Sequence, residues 1–141
     1  MKVKDIMTKD PAVCTPETLL PQVARMMVER DCGQIPVIES SSDPRPVGVV
    51  TDRDIIVRAL ARGMNPIGMT AREVMTSPAV TVTPDTKVEE CADTLADKRV
   101  RRMPVVDDAG ACSGMVSQAD IAQHAPERLT AKVVRSVSEP I

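Results

Sequence analysis

The sequence predicts an α/β fold of the mixed α+β kind, in which one β-α-β-β-α unit occurs twice. Two observations predict it. The chain aligns on itself over most of its length, and within each copy the hydrophobic period changes from helical to strand-like at matching places. Lys4-Asp-Ile-Met-Thr8 matches Arg72-Glu-Val-Met-Thr76: base, acid, branched aliphatic, Met, Thr. Residues 15–38 then align without a gap on 83–106, an offset of 68, with six identities in 24 positions (Thr15, Pro16, Thr18, Ala24, Pro36 and Val37 on Thr83, Pro84, Thr86, Ala92, Pro104 and Val105). Further on, Gly48–Ile55 aligns on Gly114–Ile121 at an offset of 66, with four identities in eight. The change of two falls in a loop, where length is cheap to alter.

Each copy reads alike from its first element to its last. Pro11–Val13 and Pro78–Val80 are short extended lead-ins. Thr18 and Thr86 suit helix N-caps, and Thr86 with Glu89 has the spacing of a capping box. Leu20, Val23, Ala24 and Met27 fall at i, i+3, i+4 and i+7, as do Val88, Cys91, Ala92 and Leu95, so each helix carries one apolar stripe. Gly33 is placed to end the first of these helices. The short apolar runs Ile35–Ile38, Val47–Val50, Met103–Val106 and Gly114–Val116 read as strands. Asp107-Asp-Ala-Gly110 signals a hairpin turn, whereas Glu39–Pro46, polar and with two prolines, reads as a mobile surface loop. A second helix follows Thr51 and Ser117, the first of them ending at Gly63.

The resulting division is repeat 1 over 1–63, a linker over 64–70, repeat 2 over 71–126 and a tail over 127–141. In the tail, Leu129, Val133 and Val137 form a stripe on a short amphipathic helix that needs a surface to cover it. A repeat of about 60 residues is marginal alone, so the two copies are expected to share a core about a pseudo-twofold axis.

Composition narrows the functions. Hydrophobic residues make up 43% of the 141 residues, enough for a core, and the net charge of −2 offers no field for nucleic acid or an anionic membrane. No apolar run approaches the roughly 18 residues of a membrane span, and Met1–Asp5 leads into no signal-peptide core, so a cytoplasmic location is expected. With no Phe, Tyr or Trp, a nucleobase would be held by aliphatic side chains and backbone rather than by ring stacking. Cys14, Cys32, Cys91 and Cys112 form no Cys-x-x-Cys pair and the only histidine is His124, a poor zinc set. Reduced, unlinked thiols are expected. A single histidine and the absence of a phosphate loop or a nucleophile–base pair argue against an enzyme.

The ordered pattern Met-Thr, Thr-Pro-x-Thr, x-Pro-Val-hydrophobic, and Gly-hydrophobic-Val-Thr/Ser-x-x-Asp-Ile, present twice, resembles that of CBS (cystathionine-β-synthase) domains. The resemblance covers roughly 3–63 and 71–126. It is nearest to small stand-alone bacterial two-repeat members, through Thr51–Ile55, Val100–Val105 and Ala119–His124. It implies a Bateman module: two repeats in pseudo-twofold contact, up to two clefts for an adenosine-containing ligand, homodimerisation, and regulation of a partner protein. The implied ligands are AMP, ADP, ATP, S-adenosylmethionine or NAD(H).

Candidate site residues follow from that resemblance. Thr51 with Asp54, and Ser117 with Asp120, would meet the ribose, since a carboxylate can accept both hydroxyls of a vicinal diol. Read locally, the same pairs are capping boxes needing no ligand, and one residue can do both. Arg101 and Arg102 would reach phosphates, and a guanidinium suits that role; read locally, they belong to a solvated basic run, Lys98–Arg102. Their counterparts Gly33 and Gln34 are uncharged, so phosphate binding is expected to be one-sided. Arg53 within the first motif is a further phosphate candidate, and Ala119 replaces it in the second, so the two clefts are not chemically equal. Val13, Cys14, Val80 and Thr81, with Ile35, Pro36, Met103 and Pro104, would wall the adenine, or simply pack the core. His124 reads as a surface or dimer-contact residue. Three functions compete: an adenosyl-ligand sensor acting on a partner, a ligand-free structural or interaction module, and a thiol redox sensor using Cys14 or Cys32.

Overall fold

The structure is a computed structural model and describes residues 1–140. In chain order its regular elements are β1 (Thr8–Lys9), α1 (Leu20–Arg30), β2 (Gln34–Ser40), β3 (Asp43–Thr51), α2 (Asp52–Arg58), α3 (Ala71–Val74), α4 (Val88–Lys98), β4 (Arg102–Val106), β5 (Cys112–Ser117), α5 (Gln118–His124) and α6 (Glu127–Val137). Short 3-10 turns lie at Val3–Asp5, Leu60–Arg62 and Pro66–Gly68. Each repeat therefore has the expected order. Its first strand is reduced to a single parallel bridge, Cys14 to Val37 in one copy and Val82 to Val105 in the other. Among the described residues no helix is long and apolar enough to cross a membrane.

The chain forms two compact units that cut across the repeats. One, the α1 unit, comprises Pro11–Ala79 and Gly110–Cys112; the other, the α4 unit, comprises Met1–Asp10, Val80–Ala109 and the chain from Ser113 onward. The reason lies in the Met-Thr motifs, each of which docks on the other copy's Thr-Pro-x-Thr turn. Val3 N and Lys4 N donate to the carbonyls of Thr86 and Pro84, both at 2.9 Å. Ala71 N and Arg72 N donate to the carbonyls of Thr18 and Pro16, at 2.8 and 2.9 Å. Past the motif, Thr8 pairs with Met115 in the sheet β1-β5-β4, and Thr76 bridges Val49 beside the two-stranded sheet β2-β3. The exchange is reciprocal, and each unit is completed by a segment from the other repeat.

The core of the α1 unit gathers Leu20, Val23, Ile35, Val37, Val50, Met69 and Val74. That of the α4 unit gathers Val88, Leu95, Met103, Val105, Val116, Ile121 and Val133. With no aromatic side chain to fill space, close packing of branched aliphatics and Met supplies the density an interior requires.

Several local expectations are corrected. Thr18 and Thr86 do not cap helices: α1 and α4 each start two residues later, with Leu19 and Lys87 as N-caps lacking a side-chain bond. The two threonines instead turn back. Thr15 N donates to Thr18 Oγ1 at 3.0 Å and Thr83 N to Thr86 Oγ1 at 3.2 Å, while Thr18 N and Thr86 N close β-turns on the carbonyls of Thr15 and Thr83. Pro16 and Pro84 fall at the second turn position, which proline's fixed φ favours. Gly33 does not end α1; Asp31, at φ 48°, is the left-handed cap, as Arg99 at φ 54° is for α4. Ala24 is exposed, whereas its counterpart Ala92 is fully buried.

The stretch Glu39–Pro46 is no open loop. It is mostly hairpin, with Ile38 opposite Pro46 and Ser40 opposite Asp43 across two register shifts. The shifts accommodate prolines that cannot donate to a ladder, and Arg45 clamps Asp43 through Nε at 2.8 Å and Nη2 at 2.6 Å. That clamp holds the Asp43 carboxyl below its ordinary range. The tail stripe needs no partner chain: Leu129 and Val133 are buried as α6 packs on α4 and α5.

Candidate functional site

In each unit a strand runs directly into a short helix, and the Thr/Ser-x-x-Asp motif sits at the junction. In the α1 unit Thr51 N donates to Asp54 Oδ2 and Asp54 N donates to Thr51 Oγ1, both at 3.0 Å. The capping box predicted from spacing is therefore formed. Asp54 is further held by the Thr76 hydroxyl, 3.4 Å from either carboxylate oxygen, and by Arg58 Nε at 3.8 Å from Oδ1. Arg58 is anchored in turn, its Nη1 donating to the carbonyls of Val74 at 3.2 Å and Met75 at 2.9 Å.

The α4 unit repeats the box. Ser117 N donates to Asp120 Oδ2 at 2.9 Å, Asp120 N donates to Ser117 Oγ at 3.2 Å, and the Ser117 hydroxyl lies 3.1 Å from the same Oδ2. Both bonds that the Asp120 carboxylate accepts end on Oδ2, and the residue is half-buried. Asp120 also faces Cys91, whose thiol is pushed up to about 12, chiefly by burial and secondarily by that carboxylate.

Beside each junction lies the start of the neighbouring strand. Gln118 N donates to the Arg101 carbonyl at 2.8 Å, which brings Arg101 and Arg102 next to the Ser117–Asp120 box. Arg101 is exposed and Arg102 half-buried. In the α1 unit the equivalent bond runs from Asp52 N to the Gly33 carbonyl at 3.0 Å, and Gln34 stands opposite Thr51 in the ladder. Arg53 is exposed on the first turn of α2.

The apolar candidates divide. Cys14, Ile35 and Met103 are buried members of the two cores, and Pro36 and Pro104 are buried beside them. Val13, Val80 and Thr81 are half-buried, with Val80 packed against the α4-unit core. The parallel bridges pair Cys14 and Val82 with equivalent strand positions, so the counterpart of Val13 is Thr81, and Val80 lies one place earlier. His124 is exposed near the end of α5.

Three neighbours of the junctions escaped sequence reasoning. Arg58 had a local signal, the i, i+4 spacing from Asp54. Thr76 had none, because the Met-Thr motif reaches the site through the exchange. Asp52 becomes visible only once strand register is known. Gln34 was legible only as the uncharged counterpart of Arg102. Gln34 is 8% exposed, and its buried side-chain oxygen Oε1 has no hydrogen-bond partner. All four cysteines are thiols outside any disulfide, and burial pushes Cys14 up to about 12.

Fold and junctions together define a tandem-repeat module in which two strand–helix junctions of like build recur within one short chain. The chain belongs to the CBS domain family, whose model matches residues 3–60 and 71–127. It is 31% identical over 138 residues to hypoxic response protein 1 of Mycobacterium tuberculosis, covering 98% of this chain and 94% of that protein. It is 31% identical over 126 residues to an uncharacterized protein of Methanopyrus kandleri, spanning 89% of this chain but only 63% of that relative. Among solved structures, a CBS domain protein of unknown function from Thermoplasma acidophilum superposes with a TM-score of 0.85 at 26% identity, covering 96% of this chain and 75% of that one. The CBS domain pair of protein MJ0100, in complex with 5′-methylthioadenosine and S-adenosylmethionine, gives a TM-score of 0.77 at 27% identity, covering 87% and 94%. The structure of the hypoxic response protein carries two coordinated zinc ions; its TM-score is 0.79 at 30% identity, covering 89% and 100%. Among the described residues of this chain, no three His, Cys, Asp or Glu side chains come together to hold a metal.

Proposed function

We propose that this chain is a regulatory, non-catalytic sensor that binds an adenosine-containing ligand at its strand–helix junctions and modulates a partner protein. The observation that carries this reading is the duplicated carboxylate. Asp54 and Asp120 are each fixed by a capping box at a junction, and Asp120 spends only Oδ2 on it. A carboxylate oriented this way can accept the two hydroxyls of a ribose. Arg101 and Arg102 would supply phosphate contacts on one side only. The adenosyl compounds bound by the MJ0100 domain pair support the ligand class.

The test is a thermal-shift and calorimetry panel with AMP, ADP, ATP, S-adenosylmethionine and NADH. Saturable binding of at least one supports the sensor. No binding at millimolar concentration transfers the assignment to a ligand-free interaction module.

The same reading includes a cytoplasmic homodimer. With the tail covered, the surface favouring it is the outer face of α2 and the turn after it, where Ile56, Val57 and Leu60 are 53%, 43% and 52% exposed. The aligned positions in repeat 2, Ala122, Gln123 and Pro126, are far less apolar, so the fold itself does not require this stripe. Light scattering at micromolar concentration is expected to give a dimer mass that Ile56→Asp reduces to a monomer. A monomeric wild type would refute it.

A further inference from the structure

Two strand–helix junctions of like build differ in charge at four matched positions. In the α4 unit Arg101 precedes β4, Arg102 opens it, and α5 starts with Gln118 and Ala119. In the α1 unit the same places hold Gly33, Gln34, Asp52 and Arg53. The difference is built into the local packing. A Cβ on Gly33 would lie 3.0 Å from Asp52 Oδ2, so the Asp52 carboxylate lies against the backbone where the arginine side chain begins in the other unit. Gln34, cross-strand from Thr51 and hence on one face of the sheet with it, is buried with Oε1 accepting nothing. A buried amide oxygen without a donor is rare in a folded protein and calls for an explanation.

We infer that Gln34, with Asp52, makes the α1-unit junction selective for an adenosyl ligand that carries no phosphate, while Arg101 and Arg102 select nucleotides at the α4-unit junction. This rests on the adenosyl-sensor reading above. At the α1-unit junction, the Asp52 carboxylate repels a phosphate and tolerates a neutral or cationic group. The Gln34 carbonyl accepts an amine or hydroxyl proton from the nucleoside. Arg53 on the first turn of α2 is exposed as Asp52 is and offsets that carboxylate, so the discrimination rests on the buried Gln34, an acceptor where the other junction has Arg102. Exchanging the acceptor for a guanidinium should therefore exchange the preference.

The experiment is calorimetric titration of the full chain with 5′-methylthioadenosine and with AMP. It uses an Asp120→Ala background, which silences the other junction and keeps Asp54. The background protein is expected to bind the nucleoside about tenfold more tightly than AMP. Gln34→Met, close in shape but without the amide, should lower nucleoside affinity about fivefold to tenfold and raise the ligand-free melting temperature, because an unpaired acceptor is removed. A glutamine that merely held the fold would lower it. Gln34→Arg should reverse the preference toward AMP. The inference is overturned if AMP binds the background as tightly as the nucleoside, or if Gln34→Met leaves nucleoside affinity within about twofold. Should Gln34→Met not fold, the ligand preference of the background and of Gln34→Arg decides. Should the wild type bind neither compound nor S-adenosylmethionine, the adenosyl reading itself falls. Binding without a Gln34 effect removes only this inference.

Discussion

Asp54→Ala tests whether the carboxylate does more than cap a helix. In the ligand-free protein the substitution removes the acceptor of Thr51 N–H at 3.0 Å and the Arg58 pairing at 3.8 Å. A lost cap costs about 1 kcal/mol, and an i, i+4 ion pair with one partly exposed member about 0.3–0.5 kcal/mol. Together these lower the melting temperature by about 3–6 °C for a chain of this size. Thr51→Ala removes the reciprocal acceptor, that of Asp54 N–H at 3.0 Å, and should cost a similar amount. The two variants part on ligand binding. A charge-assisted hydrogen bond is worth about 1.5–3 kcal/mol, so losing one ribose contact lowers affinity roughly 10- to 150-fold. Thr51→Ala keeps the carboxylate and should lose no more than about fivefold. Scanning fluorimetry without ligand measures the first effect, and calorimetry on still-folded protein the second. Equal loss of affinity in both variants would show that Asp54 acts only as a cap.

Three further outcomes follow from the same structure. Val133, fully buried where α6 meets α4 and α5, should cost about 2 kcal/mol when replaced by alanine, read as a lower melting temperature in calorimetry; no change would mean that α6 adds nothing to its unit. In native protein at pH 8, Cys14 and Cys91, with thiols pushed up to about 12 by burial, should resist alkylation while the half-exposed Cys32 and Cys112 react. Mass spectrometry that found Cys14 labelled first would promote the redox reading. Asp85 is held below its ordinary value of 3.8 by Lys4, and next by Lys2. A depressed folded value means its stabilisation is present above pH 3.8 and disappears as pH falls through the lowered value. Asp85→Asn should flatten that part of the acid unfolding curve, and an unchanged curve would contradict the pairing.

The features legible in the sequence were those determined by neighbours a few residues apart. Thr51 and Ser117 cap because side chain and amide are three positions apart, whereas the helix expected to run to Gly63 stops at Arg58, and Gly63 instead closes the 3-10 turn Leu60–Arg62 in the left-handed conformation that its lack of a Cβ permits. Thr18 and Thr86 show the limit of that reasoning. A threonine two residues before a helix can bond forward to the helix or back to the turn, and the proline two places earlier decides for the turn. Gly33 shows another: glycine signalled a helix end, but Asp31 takes the positive φ, and Gly33 leaves room for the Asp52 carboxylate. Nothing periodic marks the exchange of the Met-Thr segments. A docking site far away in the chain leaves no local trace, and Thr76 at the Asp54 carboxylate is its consequence.

The first helices of the two repeats show how tertiary context redefines a shared pattern. Both carry the same four-residue stripe, and sequence alone gives the two helices the same buried face. In α4 that face keeps Ala92 and widens to include Ala96, 0% and 6% exposed, because α6 lies over it. In α1 the aligned residues are Ala24 and Val28, and Val28 is 81% exposed. Burial thus follows the presence of a covering helix and not residue type, since the larger apolar side chain is the one left outside. The strand–helix junctions invert this relation. Their backbone hydrogen bonds are alike in both repeats, yet their charges differ at four matched positions. A fold copied twice keeps its caps and registers, which the backbone demands, and is free to change the side chains around them. The positions where equivalent geometry carries unlike chemistry, Gly33, Gln34, Asp52 and Arg53 against Arg101, Arg102, Gln118 and Ala119, are therefore the ones by which the proposed selectivity stands or falls.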